Sequence, residues 1–413
     1  MSEPTRPAAG PPAGVYRYLR LIAALLLMTV GGSAMYSLIV ALKPVGNEFE
    51  VSRGIASLPY MLFMLGFGTG GVVLGRVADR FGIILPTIVA SIALPAGFIA
   101  AAQATTLWQF CMAMGVLAGF LGASATFSPV VSDISHWFFR RRGLAVGIVI
   151  SGSYLAGAVW PKILQHFIDT VGWRDTFTGF GVFTFSVMLP LSVFLYRKAS
   201  VQHDPVTSGG PNDPRRPLGF SVSRLQCLIC AAGIGCCAAM AMPQVHIVAY
   251  ATDLGYAAAR GAEMLALMLG FGIVSRLASG WISDRIGGLN TLLLGSFLQF
   301  VVLSGFLFGD SLTALYLLSV AFGLAQGGIV PSYAIIIRAY FPSREAGWRI
   351  GTAFLFTIIG MALGGWMAGA LYDLTGSYTV SFVNAIAFNI LNMAIAGTLL
   401  TRAKSRSVAV AAQ

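Results

Sequence analysis

Twelve long apolar runs divide this chain of 413 residues, and they constrain its fold more than any other feature. Each run is long enough for a helix to cross the roughly 30 Å hydrocarbon core of a bilayer. Because backbone polar groups find no water there, the runs predict an all-α, polytopic membrane protein with twelve transmembrane helices. The runs cover residues 21–42, 57–76, 83–102, 107–131, 143–163, 176–196, 225–250, 262–283, 290–308, 312–337, 350–372 and 379–400.

Basic residues are distributed unevenly between the two sides of these helices. The side that holds both termini carries about four times as many Lys and Arg residues as the other. The positive-inside rule then predicts a multi-pass protein of the cell (cytoplasmic or inner) membrane, with both termini in the cytoplasm. The predicted parts are a disordered tail over 1–20, a six-helix bundle over 21–196, a Pro/Gly-rich cytoplasmic linker over 197–223, a second six-helix bundle over 224–402 and a tail over 403–413.

A short charged motif occurs once in each half. GRVADRFG at 75–82 returns 205 residues later as GWISDRIG at 280–287, so the halves form a pseudo-repeat. Parallel repeats of this kind place a binding site near the midplane between them. The motifs also supply the predicted cytoplasmic gate residues: Asp79, Arg80, Asp284 and Arg285. The alternative is that these residues only anchor loops at the lipid headgroups.

One arginine, Arg276, lies well inside the eighth apolar run. It precedes Asp284 by eight residues, or about 12 Å of helix. A charge at that depth costs at least about 2.5–3.5 kcal/mol, which suggests a use. No acid falls near the middle of another run, so we expect the guanidinium to face a cavity and bind a carboxylate or similar oxyanion. The alternative is a structural role, with Arg276 bonded to backbone carbonyls or to an acid of a neighbouring helix.

Polar side chains deep in other runs are predicted to line the cavity with Arg276. The predicted substrate-binding residues besides Arg276 are Tyr36, Thr126, Tyr154, Tyr333, Gln326 and Ser128. A single Ser or Thr more often bonds its own helix backbone, which is the alternative for those positions. His246, nearer the outer end of the seventh run, is a candidate proton carrier, with a purely structural imidazole as the alternative.

Several other functions lack the motifs that they require. There is no Walker motif, and GFGTGG at 66–71 lies inside an apolar run with no preceding strand, so we expect no nucleotide. The net charge of +11 is scattered in short clusters between apolar runs, which argues against a nucleic-acid partner. The five cysteines lie within apolar runs without a second ligand pair. We therefore expect no metal, no cofactor and no enzyme activity.

These motifs resemble those of the major facilitator superfamily along essentially the whole chain. The G-x-x-x-D-R-x-G turn between helices 2 and 3 is that superfamily's hallmark, and it recurs between helices 8 and 9. A finer resemblance is to the branch of oxalate/formate antiporters and monocarboxylate transporters. It is carried by EFEVSR at 48–53, WFFRRRGLAVGIVISGSYLAG at 137–157 and the helix 8 arginine. The resemblance implies that Thr126 and Tyr333 contact a carboxylate substrate, and that the charged turns latch the outward-open state.

Departures from that branch narrow the expected substrate. Oxalate exchangers carry a second intramembrane cation on helix 11, where this chain has Ile359, and one cation suits one negative charge. Animal monocarboxylate carriers have an acid one turn before the helix 8 arginine, where this chain has Gly272, and a helix 1 lysine near the position of Tyr36. Nitrate carriers pair the helix 8 arginine with a second arginine on helix 2. This chain has Gly71 at that position, which argues against nitrate as the substrate.

The expected function is secondary active transport of a small organic anion, a monocarboxylate, by alternating access with proton coupling. The expected partners are that anion, protons or a counter-anion, and the lipid bilayer. Three alternatives stay open: an oxalate/formate-like anion/anion exchanger, a drug/proton efflux transporter, and a non-transporting membrane sensor. The absence of an embedded acid weighs against drug efflux, and a sensor would require an added signalling domain.

Overall fold

In the part of the chain that the structure describes, twelve helices are long and apolar enough to cross a membrane, which confirms the sequence prediction. The computed structural model describes residues 14–138, 142–196, 217–341 and 346–411. The helices are α1 (Gly14–Gly31 and Ser33–Val40), α2 (Leu58–Phe81), α3 (Ile84–Ala102), α4 (Leu107–Met112, Ala113–Ala123 and Ser124–Trp137), α5 (Arg142–Val171), α6 (Trp173–Phe194), α7 (Val222–Asp253), α8 (Ala258–Ile286), α9 (Gly288–Gly305), α10 (Leu312–Gln326 and Ile329–Tyr340), α11 (Ala346–Thr375) and α12 (Thr379–Ala411).

The helix ends differ from the apolar runs by several residues. Helix α1 begins inside the predicted tail 1–20, and α12 continues past the predicted bundle end at 402. Most of the predicted linker, 197–216, lies outside the described residues, as do 1–13. Two short helices, Leu42–Glu48 and Arg53–Ala56, connect α1 to α2 on the side opposite both termini, which we call the distal side. The side that holds the termini is the terminal side.

The repeated charged motif ends α2 and α8 in the same way. Gly82 follows α2 with φ of 88°, and Gly287 follows α8 with φ of 81°. Glycine adopts this left-handed conformation at no steric cost. Each glycine N–H donates to the carbonyl four residues back, at Ala78 and Ser283. The Asp-Arg pair of each motif is thereby placed in the last turn of its helix, on the terminal side.

Glycines set how closely the helices approach. A Cβ added at Gly364 of α11 would lie 2.2 Å from the Ala238 carbonyl oxygen of α7, and one at Gly360 would lie 2.7 Å from that of Ile234. Helix backbones can meet this closely only where a side chain is missing. The two six-helix halves, α1–α6 and α7–α12, meet through α5 against α8 and α2 against α11. The candidate site lies where α5 crosses α8.

A buried ion pair joins α1 to α4 near the terminal side. Arg20 is fully buried, and its Nε and Nη2 each donate to a carboxylate oxygen of Asp133 at 2.8 Å. The Arg20 guanidinium also lies 4.5 Å from the ring centroid of Trp137. This bidentate pairing satisfies a charge that would otherwise be buried without a partner.

We predict that Asp133→Ala destabilises the protein by about 3–5 kcal/mol, because it leaves Arg20 buried and uncompensated. Equilibrium unfolding in detergent checks this value. The matched control is Asp310→Ala, which removes an exposed acid from the α9–α10 connection and should change stability by less than about 0.5 kcal/mol. Equal effects of the two substitutions would contradict the structural role of the ion pair.

Candidate functional site

Arg276 lies on α8 where this helix faces α5 of the other half. Its Nη2 donates to the Tyr154 hydroxyl at 3.4 Å, and its guanidinium carbon lies 4.5 Å from the centroid of the same ring. Its Nε is buried and has no hydrogen-bond partner. Among the described side chains, none of the ion pairs involves Arg276. The guanidinium therefore retains a free donor in a buried place, which is the state expected of an anion receptor.

Two glycines allow this arrangement at the α5–α8 crossing. A Cβ at Gly272, one turn before Arg276, would lie 2.5 Å from Tyr154 Cε1. A Cβ at Gly157 on α5 would lie 2.5 Å from Tyr36 Cζ. Gly272 stands where the animal carriers have an acid, and in this chain the space holds the aromatic ring that covers Arg276. The Tyr154 ring thus lies where a side chain at position 272 would lie, so an acid at that position and this placement of the ring exclude each other.

Two further predicted ligands line a cavity of about 50 Å³ beside this crossing. Tyr36 donates its hydroxyl to the Ser153 carbonyl at 3.2 Å, and Thr126 donates to the Ala123 carbonyl at 2.8 Å. Both hydroxyl protons are therefore bonded to backbone carbonyls. For Thr126 this is the alternative given in the sequence analysis, in which a helical Thr bonds its own helix backbone. Apolar side chains form most of the remaining wall: Met28, Met35, Phe63, Phe67 and Phe127.

Gln326 of α10 lies behind the crossing, fully buried. Its Nε2 donates to the Met268 carbonyl of α8 at 3.3 Å, and its Oε1 accepts a hydrogen bond from Gln244 of α7. The same Nε2 lies 3.6 Å from where a Cβ of Gly272 would stand. Gln326 thus holds α7, α8 and α10 together directly next to the Tyr154 ring.

Tyr333 and Ser128 are placed elsewhere. Tyr333 is buried in the second half, and its hydroxyl donates to Asn392 Oδ1 of α12 at 3.0 Å. Ser128 is exposed, and its side chain lies 3.7–3.8 Å from the positions of a Cβ at Gly71 and Gly75 on α2. In this conformation the structure brings Tyr154 to Arg276, places Tyr36 and Thr126 in the adjacent cavity, and directs the Tyr333 hydroxyl into the core of its own half.

The predicted gate residues lie at the terminal-side ends of α2 and α8. Arg80 is exposed, with its guanidinium 5.4 Å from the Phe81 ring centroid. Arg285 is exposed as well, 3.6 Å from the Trp281 ring centroid. The side chains of Asp79 and Asp284 lie outside the described residues, so pairing across this gate stays a prediction.

His246 belongs to a network on the distal side that the sequence reasoning missed. The imidazole is bonded through Nδ1 to the Tyr378 hydroxyl at 3.0 Å and through Nε2 to the Gly365 carbonyl at 2.8 Å. Arg53 of the first half donates to the same Tyr378 hydroxyl at 2.9 Å and forms an ion pair with Asp253 of the second half. One feature of the sequence could have indicated this network: the distal side has few cations, and each of them needs a partner.

The chain is similar to a known family over most of its length. The profile of the Major Facilitator Superfamily matches residues 22–314, which is more than half of the chain. The chain belongs to the major facilitator superfamily. A curated relative of this superfamily, monocarboxylate transporter 13 of Bos taurus, is 29% identical over 334 residues, covering 80% of this chain and 76% of the relative.

Other relatives in the superfamily are named for different substrates. The riboflavin transporter MCH5 of Saccharomyces cerevisiae is 26% identical over 359 residues, covering 80% of this chain and 68% of that protein. Among solved structures, a bacterial homolog of the human lysosomal transporter Spinster, in an inward-facing and occupied conformation, superimposes with a TM-score of 0.70 at 17% identity. That match covers 95% of this chain and 98% of the other, and it shows that the fold is shared.

We predict that Gly272→Ala displaces the Tyr154 ring and lowers stability by about 1–3 kcal/mol, because the new methyl group has no room. Thermal unfolding in detergent measures this. Gly270→Ala is the matched control two residues away, where the nearest atom would be Ala158 Cβ at 3.8 Å. That substitution should be neutral or slightly stabilising, since alanine favours the helix by about 1 kcal/mol over glycine. A Gly272→Ala protein as stable as the Gly270→Ala protein would contradict the tight crossing.

Proposed function

We propose that this protein is a secondary active transporter of a small organic monoanion, a monocarboxylate, and that it works by alternating access. The observation that carries the proposal is Arg276, a half-buried cation at the interface of the two halves whose Nε is buried and has no hydrogen-bond partner. A planar guanidinium can bind both oxygens of a carboxylate, and the Tyr154 hydroxyl beside it can donate a third hydrogen bond. The monocarboxylate transporter relative supports the same substrate class.

One positive charge at the site favours one negative charge on the substrate. The described part of the chain offers no second cation next to Arg276, and Ile359 stands where an oxalate exchanger has its other cation. A dianion would bring a charge into the membrane interior that nothing there compensates. We therefore propose proton-coupled movement of a monoanion, in which the coupled proton makes the transported unit neutral overall.

Alternating access is supported by where the halves are joined. Among the described side chains, the ion pairs between the halves are Lys43–Asp253, Arg53–Asp253 and Lys162–Glu263, and all lie on the distal side. This asymmetry fits a conformation that is closed distally, in which Arg276 exchanges substrate with the terminal side.

We further propose that the terminal side is cytoplasmic. A cysteine replacing Ser208, in the predicted linker, should react with a membrane-impermeant maleimide only after the membrane is opened. The reason is the concentration of Lys and Arg on that side, which retains it in the cytoplasm during insertion. A cysteine replacing exposed Leu374 at the distal end of α11 is the matched control and should react in intact cells. Reaction at position 208 in intact cells would reverse the orientation.

We predict that Arg276→Lys weakens carboxylate binding by roughly 1–3 kcal/mol, about tenfold to a hundredfold, because lysine keeps the charge but loses the planar fork. Arg276→Ala should abolish binding and transport while the protein stays folded, since its removal also relieves the burial cost. A screen of small carboxylates for thermal stabilisation of the purified protein identifies the ligand. Uptake into proteoliposomes, with and without an imposed pH gradient or internal anion, then separates proton coupling from anion exchange.

The control for these variants is Arg260→Ala in the same helix. Arg260 is exposed and pairs with Glu263 at 3.2 Å, so its loss should leave carboxylate affinity unchanged. A structural role of Arg276 gives the reverse pattern, in which the Ala variant loses stability and the Lys variant restores it. Wild-type affinity in Arg276→Ala would overturn the anion-receptor assignment and would favour a neutral substrate.

A further inference from the structure

His246 is a buried titratable group that the Arg276 site does not use. It lies in α7 seven residues before Asp253, about 10 Å of helix from the distal end, with 2% of its surface exposed. Both ring nitrogens have partners, and one of these partners connects the ring to the other half of the molecule.

The hydrogen bonds fix where each proton lies. Arg53 has only donors, so the Tyr378 oxygen accepts from it. Burial raises the pKa of the Tyr378 phenol above its ordinary value, so the phenol keeps its single proton and donates it to His246 Nδ1. Nε2 then carries the imidazole proton and donates to the Gly365 carbonyl. Every group is satisfied only when His246 is neutral.

The same chain of contacts closes the distal side. Asp253 pairs with Arg53 and with Lys43, whose Nζ lies 2.5 Å from it, and both cations belong to the first half. Asp373 of α11 accepts the backbone N–H groups of Arg53 and Gly54 at 2.8 and 2.6 Å. We call the hydrogen-bonded chain Asp253–Arg53–Tyr378–His246 the distal latch. It connects α7 and the start of α12 to the α1–α2 connection.

Protonation of His246 would conflict with this chain. An imidazolium carries a hydrogen on Nδ1 as well, so the Tyr378 oxygen would face two cationic donors, one 2.9 Å and the other 3.0 Å away, and its own proton would lose its acceptor. Water cannot readily replace the lost partner at a buried site. The charges nearest the ring are those of Arg53, Asp253 and Asp373, and the two acids are already engaged by Arg53 and its neighbours. The other titratable groups around the latch are Lys43, Tyr60, Tyr250 and Tyr372.

We propose that His246 is a proton-binding site that controls the distal latch, so that the latch is closed when His246 is neutral and opens when it takes a proton. The inference rests on the alternating-access part of the proposed function and supplies the proton site which that function lacks near Arg276. A proton that binds only the open state changes the ratio of open to closed molecules by up to about tenfold per pH unit. The proton has to leave His246 before the distal side can close again.

The test measures the width of the distal opening in lipid nanodiscs without substrate. Spin labels are attached at Asn47→Cys and Leu374→Cys, two exposed distal positions in opposite halves, after the exposed natural cysteine is removed by Cys227→Ser. Distances between the labels are recorded at about pH 8 and about pH 5.5, on either side of the ordinary histidine range. The long-distance population should increase severalfold at the lower pH.

His246→Gln should remove this pH response while the latch stays closed, because the glutamine amide can still donate to Gly365 and accept from Tyr378. His166→Gln is the matched control, since His166 is an exposed histidine in α5, and it should respond to pH as the parent does. A response that survives in His246→Gln, or a parent protein without a response, would overturn the proposal.

A second variant keeps the test decisive if His246→Gln fails to fold. Tyr378→Phe removes the hydroxyl that joins Arg53 to His246, so it should raise the open population at about pH 8 and weaken the pH response severalfold. A Tyr378→Phe protein with the parent's response would also overturn the latch. Because no substrate is present, these results do not depend on Arg276. Failure of carboxylate binding would refute the proposed function alone, whereas the absence of a pH effect in the parent protein would refute the latch alone.

Discussion

The cost of burying the Arg276 charge within an apolar helix shapes the centre of this protein. The arginine meets no acid among the described residues, and it is held by the face and the hydroxyl of Tyr154 from the opposite half. A cation over an aromatic ring gains about 0.5–2 kcal/mol, less than the cost of burying the charge. The remaining deficit is one that the proposed anionic substrate would offset.

That contact requires the two halves to approach closely at the α5–α8 crossing. Gly157 and Gly272 provide the close approach on either side of the α5–α8 crossing, because a Cβ at each would meet an aromatic ring at 2.5 Å. Further toward the terminal side, Gly147 and Gly280 meet nothing within 4 Å. The same pair of helices thus packs tightly at the site and has open space around these two glycines.

The sequence predicted the helices well, because hydropathy is a local signal, and it singled out Arg276 because an isolated charge in an apolar run is a local signal too. Twelve runs gave twelve helices, and Arg276 and Tyr154, both predicted ligands, lie together. Hydroxyl directions were harder to predict, since a neighbouring residue points about 100° away around a helix. The Tyr333 hydroxyl donates to Asn392, which lies 59 residues away in the sequence, and no local pattern reveals such a distant acceptor. The distal latch was missed for the same reason, because Arg53 and Asp253 are 200 residues apart.

The distal contacts differ in strength, and this difference shows where control of opening lies. Lys162 and Glu263 join α5 to α8 at 3.6 Å, but Lys162 is 70% exposed, and such a pair contributes about 0–1 kcal/mol. The distal latch contains the Arg53–Asp253 ion pair, and further contacts support it: Lys43 also pairs with Asp253, Asp373 accepts two backbone N–H groups, and Arg53 stacks on Tyr372 at 4.3 Å. In the proposed alternating-access cycle, opening the distal side would therefore depend mainly on the latch, whereas the Lys162–Glu263 pair at the outer end of the α5–α8 crossing would oppose it only weakly. A substrate bound at Arg276 and a proton bound at His246 would then act on different parts of one rigid-body motion, which is how two ligands can be coupled without touching each other.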